Sequence, residues 1–452
     1  MRLLKNILKN KKLSIIILLA FISLPIIFYN KKDINIPNKQ YKTVYESDVY
    51  TRFAMEAYDK IGENFWMKLG SYKKYGSPEL GELFRLSIMK VMNTDKSPTI
   101  NKENKEATDR DNTAFILSTM LRNATSSELK KQIIVDTVRL VTNSLKPFMR
   151  SNLFSEKQRV ALRQEVSNIN PSKDLYKDLG VNKDTSKKEI EKVYEEKAKV
   201  LEKATTTEAK TELQKISYAK KVLTDDNTKK LYDTAKVEPT VSGHIMNNTF
   251  YFYFSKISPI TLQEFGIAIE NASSTPNLDS LIIDMRGNIG GDLSFANSIT
   301  GLFIGANQYA YDLYRNENYD PQRTTLAKFD ALNRFKNIVI FTDNRTQSTA
   351  ELTSAIFKRL KIAKIIGTRT AGWGTIENTY PLETVIDTNE KYTLFLVNNI
   401  TLGDDNEPIE GRGVSPDIDI SKSDWKNELK KYFPDSFIKI IEKRISVAPA
   451  II

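Results

Sequence analysis

The sequence predicts an α/β core of repeated strand–helix units, preceded by a helical region and an N-terminal segment with the character of a transmembrane helix. Three observations carry this expectation. From about residue 241 onward, short β-branched and aromatic runs alternate with helical patterns, as in a buried sheet with crossover helices. Over 49–168 the apolar spacing is helical. Residues 13–29 form an uncharged run of 17 residues, mostly Ile, Leu and Phe, near the lower limit for a helix that spans a bilayer.

Arg2, Lys5, Lys9, Lys11 and Lys12 precede that run, and Lys31 and Lys32 follow it. Such a flank keeps the N-terminus cytoplasmic and sends the bulk of the chain to the periplasmic or extracellular side. Phe28, Tyr29, Asn30 and Lys31 offer no small-x-small cleavage pattern. An uncleaved single-pass anchor in the cytoplasmic membrane is therefore expected over 1–32, with a cleaved signal peptide as the alternative. These charges also account for most of the formal net charge of +11. The rest is too dilute for a basic binding face, so no nucleic-acid partner is expected. The chain has no cysteine and one histidine, His244. Disulfides, thiolate metal sites and cysteine nucleophiles are excluded, and a catalytic triad has a single histidine to draw on. No metal-ligand cluster, phosphate loop or cofactor fingerprint stands out, so no cofactor is expected.

Residues 33–48 are polar and read as a tether. The helical region, 49–168, opens with Phe53, Met55, Ala57, Tyr58 and Ile61 and continues with Leu80, Leu83, Phe84, Leu86 and Ile88. Residues 94–112 read as a solvated loop, and 115–120, 133–145 and 158–166 as further helix. This region supplies no chemical motif. Residues 171–236 differ. Ser186 followed by Glu189 marks a helix start as a capping box, and Leu213, Ile216, Ala219 and Val222 mark a second helix. The opening at Asp174 and the closing ISYAKKVLTDDNTKKLYD resemble a J-domain. The His-Pro-Asp tripeptide through which J-domains stimulate an ATP-driven chaperone is replaced by Glu202-Lys203-Ala204. A hairpin reused as spacer or recognition module is expected in preference to a co-chaperone.

Within 241–422, strands are expected at 249–255, 280–285, 337–342, 362–366 and 392–398, and helices at 260–272, 293–303 and from Ser348 to about 360. Ser348 falls where a strand gives way to a helix. Unpaired amides and the helix dipole at such a start can stabilise an oxyanion while the hydroxyl attacks a carbonyl. The alternative is a plain helix cap, with Glu351 completing a capping box. Gly290-Gly291 lie in a turn directly after a buried strand, where backbone can approach a substrate closely; an ordinary strand-to-helix turn is the alternative.

Together these pieces resemble the tail-specific, or carboxy-terminal-processing, serine peptidase family. The resemblance covers about 243–420, with the pieces in family order: LIIDMRGNIGGDL, IVIFTDNRTQSTAEL, IIGTRTAGWG and the closing PIEGRGVSPDIDI. The segment AYDKIGENFWMKL resembles the family's helical lead-in, and the J-like hairpin stands where many members carry a PDZ domain. The resemblance implies a ClpP/crotonase-like spiral core, a polypeptide substrate, Ser348 as nucleophile, and an oxyanion hole from the amides of Thr349 and of Gly290 or Gly291. One departure matters. The general-base lysine of bacterial members is replaced by Trp373, in Gly372-Trp373-Gly374. Glu377 or His244 then stands in as base, or the domain binds extended peptides without cutting them and Trp373 is a stacking surface or core filler. In 423–452, Trp425, Leu429, Tyr432, Phe433, Phe437 and Ile441 read as a closing helix for self-association or for packing on the core.

Overall fold

The computed structural model describes residues 44–69, 79–99 and 108–449. The apolar run at 13–29 lies outside the described residues, among which no helix is long and apolar enough to cross a membrane.

The helical spacing of the lead-in folds as α1 (Val49–Asn64), α2 (Leu80–Val91), α3 (Asp109–Leu121) and α4 (Ser127–Asn143), then a short strand β1 (Asn152–Ser155) and α5 (Glu156–Val166). Polar caps start these helices: Asp48 accepts from Thr51, Thr108 from Asp111, and Ser126 from Leu129. Two of them start earlier than the apolar spacing suggests, at Asp109, within the stretch 94–112 read as loop, and at Ser127. The lead-in is no separate body. Phe53, Phe84, Ile134 and Val138 share one core with Leu394, Leu396 and Val397 of the later sheet.

The J-like segment folds as α6 (Leu175–Leu179), α7 (Lys187–Leu201), α8 (Thr207–Thr224) and α9 (Asp226–Ala235) around its own core of Leu175, Leu179, Ile190, Ile216, Val222 and Tyr232. The Tyr232 hydroxyl accepts from the Leu175 N–H and donates to the Lys173 carbonyl, which pins the last helix to the first. Its two ends meet. Ile169 bridges Val237, and the Glu238 N–H donates to the Asn168 carbonyl at 3.0 Å. The hairpin is thus an insertion closed at its neck.

The core follows as β2 (Val241–Met246), β3 (Thr249–Phe254), α10 (Thr261–Asn271), β4 (Ser280–Asp284), α11 (Ser294–Ile304), β5 (Tyr309–Arg315), β6 (Asn318–Arg323), β7 (Asn337–Thr342), α12 (Thr349–Arg359), β8 (Lys364–Gly367), β9 (Thr375–Pro381), β10 (Tyr392–Thr401) and β11 (Ile418–Asp419). A six-stranded sheet runs β11-β8-β7-β4-β3-β2, parallel except for the edge pair β2/β3. The two-residue alternation of a strand explains its two cores. Phe250, Phe252, Phe254, Leu281, Ile283, Ile340 and Ile365 face α10–α12. Tyr251, Ile282, Val339, Phe341 and Ile366 face the chain's end, α13 (Trp425–Leu429) and α14 (Asp435–Ile445). The closing segment is therefore two helices split at Pro434, and it packs on the core.

A second, antiparallel sheet pairs β1, β9 and β5 with β10, and β5 with β6. Of its strands only β10 was expected. The region 49–168 thus includes a strand, Asn152–Ser155, and the α/β architecture is two sheets, not strand–helix repeats alone.

Candidate active site

Three turns leave the carboxyl ends of the adjacent parallel strands β4, β7 and β8, the edge of an open α/β sheet where ligands bind. They carry Gly290 and Gly291, Ser348, and Trp373. Hydrogen bonds lock the turns together. Gln347 N–H donates to the Asn288 carbonyl (2.8 Å), Ala371 N–H to the Thr346 carbonyl (3.0 Å), and the Thr349 hydroxyl to the Gly291 carbonyl (3.0 Å).

Ser348 is half-buried at the start of α12, and its backbone sits at φ 52° and ψ −125°. Other serine and aspartate caps of this chain, such as Asp48, Ser126, Ser155 and Ser186, adopt the extended conformation with negative φ. A residue with a side chain held in the positive region costs roughly 1–3 kcal/mol and persists only where its surroundings fix it. Here the fixing group is Glu351. This fully buried carboxylate accepts from Ser348 N–H (2.9 Å), Trp373 N–H (2.8 Å) and Gly372 N–H (2.7 Å), and also bonds the Thr370 hydroxyl. Burial raises its pKa, opposed by those hydrogen bonds. The glutamate half of a capping box is thus present, around a serine whose backbone is bent into an elbow.

The Gly290-Gly291 turn lies against this elbow. A Cβ on Gly290 (φ 82°) would stand 2.7 Å from Ser348 Cβ and 2.9 Å from the Thr349 nitrogen. A Cβ on Gly291 (φ 142°) would stand 1.8 Å from the Ile257 carbonyl oxygen. Glycine is required at both. Asn288, fully buried, shapes the turn: its amide donates to the Phe254 carbonyl, and its Oδ1 accepts the Gly290 N–H at 2.8 Å. The Gly290 amide is therefore engaged, which leaves the N–H of Gly291 and of Thr349 for an oxyanion.

Trp373 is half-buried, with its indole N–H directed at Glu377 Oε1 (3.3 Å), an oxygen that also takes the Thr375 hydroxyl. Burial raises the Glu377 pKa. Among the described residues no hydrogen bond joins Glu377 to Ser348. On the outer face of the indole lies Arg150, from the turn between α4 and β1, with its guanidinium carbon 3.6 Å from the ring centroid. Arg150 pairs with Glu410 (2.9 Å), which accepts the Gly374 N–H (2.8 Å).

His244 is not brought to this site. It lies on the edge strand β2, three strands from β7, roughly 14 Å away at ordinary strand spacing. It also stands directly opposite Tyr251 (ring centroids 5.0 Å apart), and so faces α14 and not α12. Burial, with Arg444 and Lys221 nearby, lowers its pKa. Sequence reasoning assigned no role to Asn288, Arg150 or Glu410. Asn288 carried a signal, since an asparagine side chain can accept the amide two residues on, here that of Gly290, and so close a turn. The Arg150–Glu410 contact, 260 residues apart in the chain, carried none. Among the described residues there is no cluster of His, Asp and Glu fit to hold a metal ion.

Two segments of the chain are similar to known families. The profile of Peptidase family S41 matches residues 250–420, and that of the DnaJ domain matches residues 174–233. A carboxy-terminal-processing protease of Bartonella bacilliformis is 26% identical over 189 residues, 41% of this chain and 42% of that protein. The carboxy-terminal processing protease CtpB of Bacillus subtilis is 26% identical over 190 residues, 42% of this chain and 36% of that one. The chain thus spans about two-fifths of the length of the curated relatives it matches. A solved photosystem II D1 C-terminal processing protease overlays 82% of this chain and 93% of its own at a TM-score of 0.45 and 12% identity.

Proposed function

Taking residues 250–420 as an S41-type peptidase domain, we propose that the chain is a serine-type endopeptidase, held at the cytoplasmic membrane by residues 13–29 and acting on exposed polypeptide ends outside the cytoplasm. The observation that carries the reading is the Ser348 elbow. A domain that only bound peptides has no need to hold a serine at φ 52° between a glycine turn and a buried carboxylate.

Ser348 Oγ attacks the scissile carbonyl carbon, and its proton passes to Glu377, whose pKa burial raises. The new oxyanion accepts from the Gly291 and Thr349 amides, aided by the positive end of α12. The tetrahedral species collapses as the carboxyl returns the proton to the leaving amine. Water then attacks the ester on Ser348 as Glu377 takes its proton, and the second tetrahedral species collapses with that proton returned to Ser348 Oγ. No resident cofactor or metal enters these steps. The basic flank of the apolar run supports the outward placement. The insertion at 174–233, without the His-Pro-Asp tripeptide, reads as a recognition or spacer module, and self-association of the chain stays part of the proposal.

A second reading has its own observation. Glu377 Oε1 already takes two donors, and by the resemblance Trp373 would take the place of the family's general-base lysine. A domain without a base would bind extended peptides and leave them intact. The deciding experiment incubates the parent chain and Ser348→Ala with an unfolded protein and follows fragments by mass spectrometry. Fragments from the parent alone support the peptidase. Equal silence, with substrate still bound, supports the pseudopeptidase.

A further inference from the structure

The helical lead-in supplies a charge to the site that the peptidase segment itself does not contain. Arg150 follows α4 on a turn tied down at both ends. The Trp66 indole donates to the Lys146 carbonyl at 2.7 Å, and the Ser151 hydroxyl accepts the Val397 N–H of β10 at 3.1 Å. The guanidinium therefore approaches Trp373 from a fixed platform. It sits over the indole ring, pairs through Nε with Glu410 Oε1, and donates through Nη2 to the Gly372 carbonyl at 3.4 Å. Glu410 Oε2 holds the next amide but one, Gly374. The turn 372–374 is thus gripped from within by Glu351 and from without by Arg150 with Glu410.

We propose that Arg150 is a positioning residue: its contact with the Trp373 ring and its pair with Glu410 hold the indole N–H on Glu377. The inference rests on reading Glu377 as the base. The charged and titratable groups facing Glu377 are few. Arg150 lowers its pKa, Glu410 opposes this, and the Trp373 and Thr375 hydrogen bonds lower it, all against a larger upward push from burial. Val397, its partner on β10, is apolar. Only a planar guanidinium provides stack and fork together, which a lysine in its place would not.

The test uses Arg150→Gln, Arg150→Ala and Arg150→Lys in the full chain, with Glu377→Gln as reference. The first readout is tryptophan emission against pH, taking as the Glu377 signal the component absent from Glu377→Gln. The expected result is a midpoint moved to higher pH in Arg150→Gln and Arg150→Ala, and largely restored in Arg150→Lys. The second readout is kcat/KM against pH: the acid limb moves upward in the same two variants. In all three kcat falls about tenfold or more with little change in KM, because misplacing a reacting group acts on the chemical step. An Arg150→Gln chain that melts earlier but keeps the parent's emission midpoint and pH profile overturns the proposal. So does a Glu377→Gln chain that keeps the whole emission titration. If no variant and no parent cleaves, the peptidase reading fails while the emission midpoint still decides the role of Arg150.

Discussion

Glu351 holds the backbone of Ser348: its Oε2 accepts the Ser348 N–H at 2.9 Å, from a side chain with no exposure to solvent. The same carboxylate takes the amides of Gly372 and Trp373, so the elbow and the neighbouring turn have one anchor. Removing it leaves several buried donors without partners, at about 1–3 kcal/mol each. Glu351→Ala is therefore expected to lose at least about 3 kcal/mol in urea denaturation and all cleavage. Glu351→Gln, which presents donors to facing donors, is expected to recover little of either. Full activity in Glu351→Gln would remove the anchor from the account.

The glycine turn makes a sharper steric prediction. Gly291→Ala drives a methyl into the Ile257 carbonyl at a backbone angle of 142°, so the turn must shift away from Ser348. Cleavage is expected to fall by about a hundredfold or more, with roughly 1–3 kcal/mol of stability. Gly266→Ala, on α10 with open space about its Cβ, serves as the harmless control, since alanine favours a helix over glycine.

A pH dependence of stability is written into the joint between the insertion and the core. Glu264 on α10 accepts from Thr240 N–H (2.9 Å), the Thr240 hydroxyl (2.7 Å) and Val241 N–H (3.2 Å) on Oε2, while its buried Oε1 has no partner among the described residues. Desolvation raises its pKa from 4.5 to about 7, against the pull of the Thr240 and Val241 hydrogen bonds and of Lys221. The folded chain then binds the proton more tightly than the unfolded one, so stability falls as pH rises from 4.5 to about 7. The fall due to this group is about 3 kcal/mol. Glu264→Gln is expected to flatten that slope and to unfold at higher urea than the parent at pH 8. A parent whose stability is level between pH 5 and 8 would contradict the assignment.

Asp284 and Arg286 form a buried pair at 2.6 Å, and the guanidinium also reaches the carbonyls of Arg444, Ile445 and Val447 at the end of α14. Arg286→Met leaves a fully buried carboxylate uncompensated, and is expected to cost about 3–5 kcal/mol and to speed amide exchange in α14. The double change Asp284→Leu with Arg286→Met is expected to regain most of that loss. Equal stability of the two variants would mean that the pair itself matters little.

What could be read in the sequence follows burial. The strands β3, β4 and β7 are covered on both faces, so they appear as dense aromatic and β-branched runs, and Asn337–Thr342 was located to the residue. Position after such strands left Ser348 and Gly290-Gly291 open between a site and an ordinary cap and turn, and only the order of the motifs singled them out; the structure brings the three together at the sheet's carboxyl edge. The second sheet was hidden for the opposite reason. β5 and β6 carry Asp312, Arg315, Asn318 and Asp320, half or fully in solvent, and β1 has only four residues. His244 could be counted but not placed, since the face of an edge strand is set by its partner. Arg150 reaches Trp373 only through the packing of the lead-in on β10.

The most direct test of the central claim is intact-mass spectrometry of the chain after exposure to a serine-directed phosphonate, with Ser348→Ala alongside. A single adduct mapped to Ser348, absent from the alanine variant, is the result that an activated nucleophile in this elbow predicts. No adduct on the parent, or the same adduct on both, would contradict it.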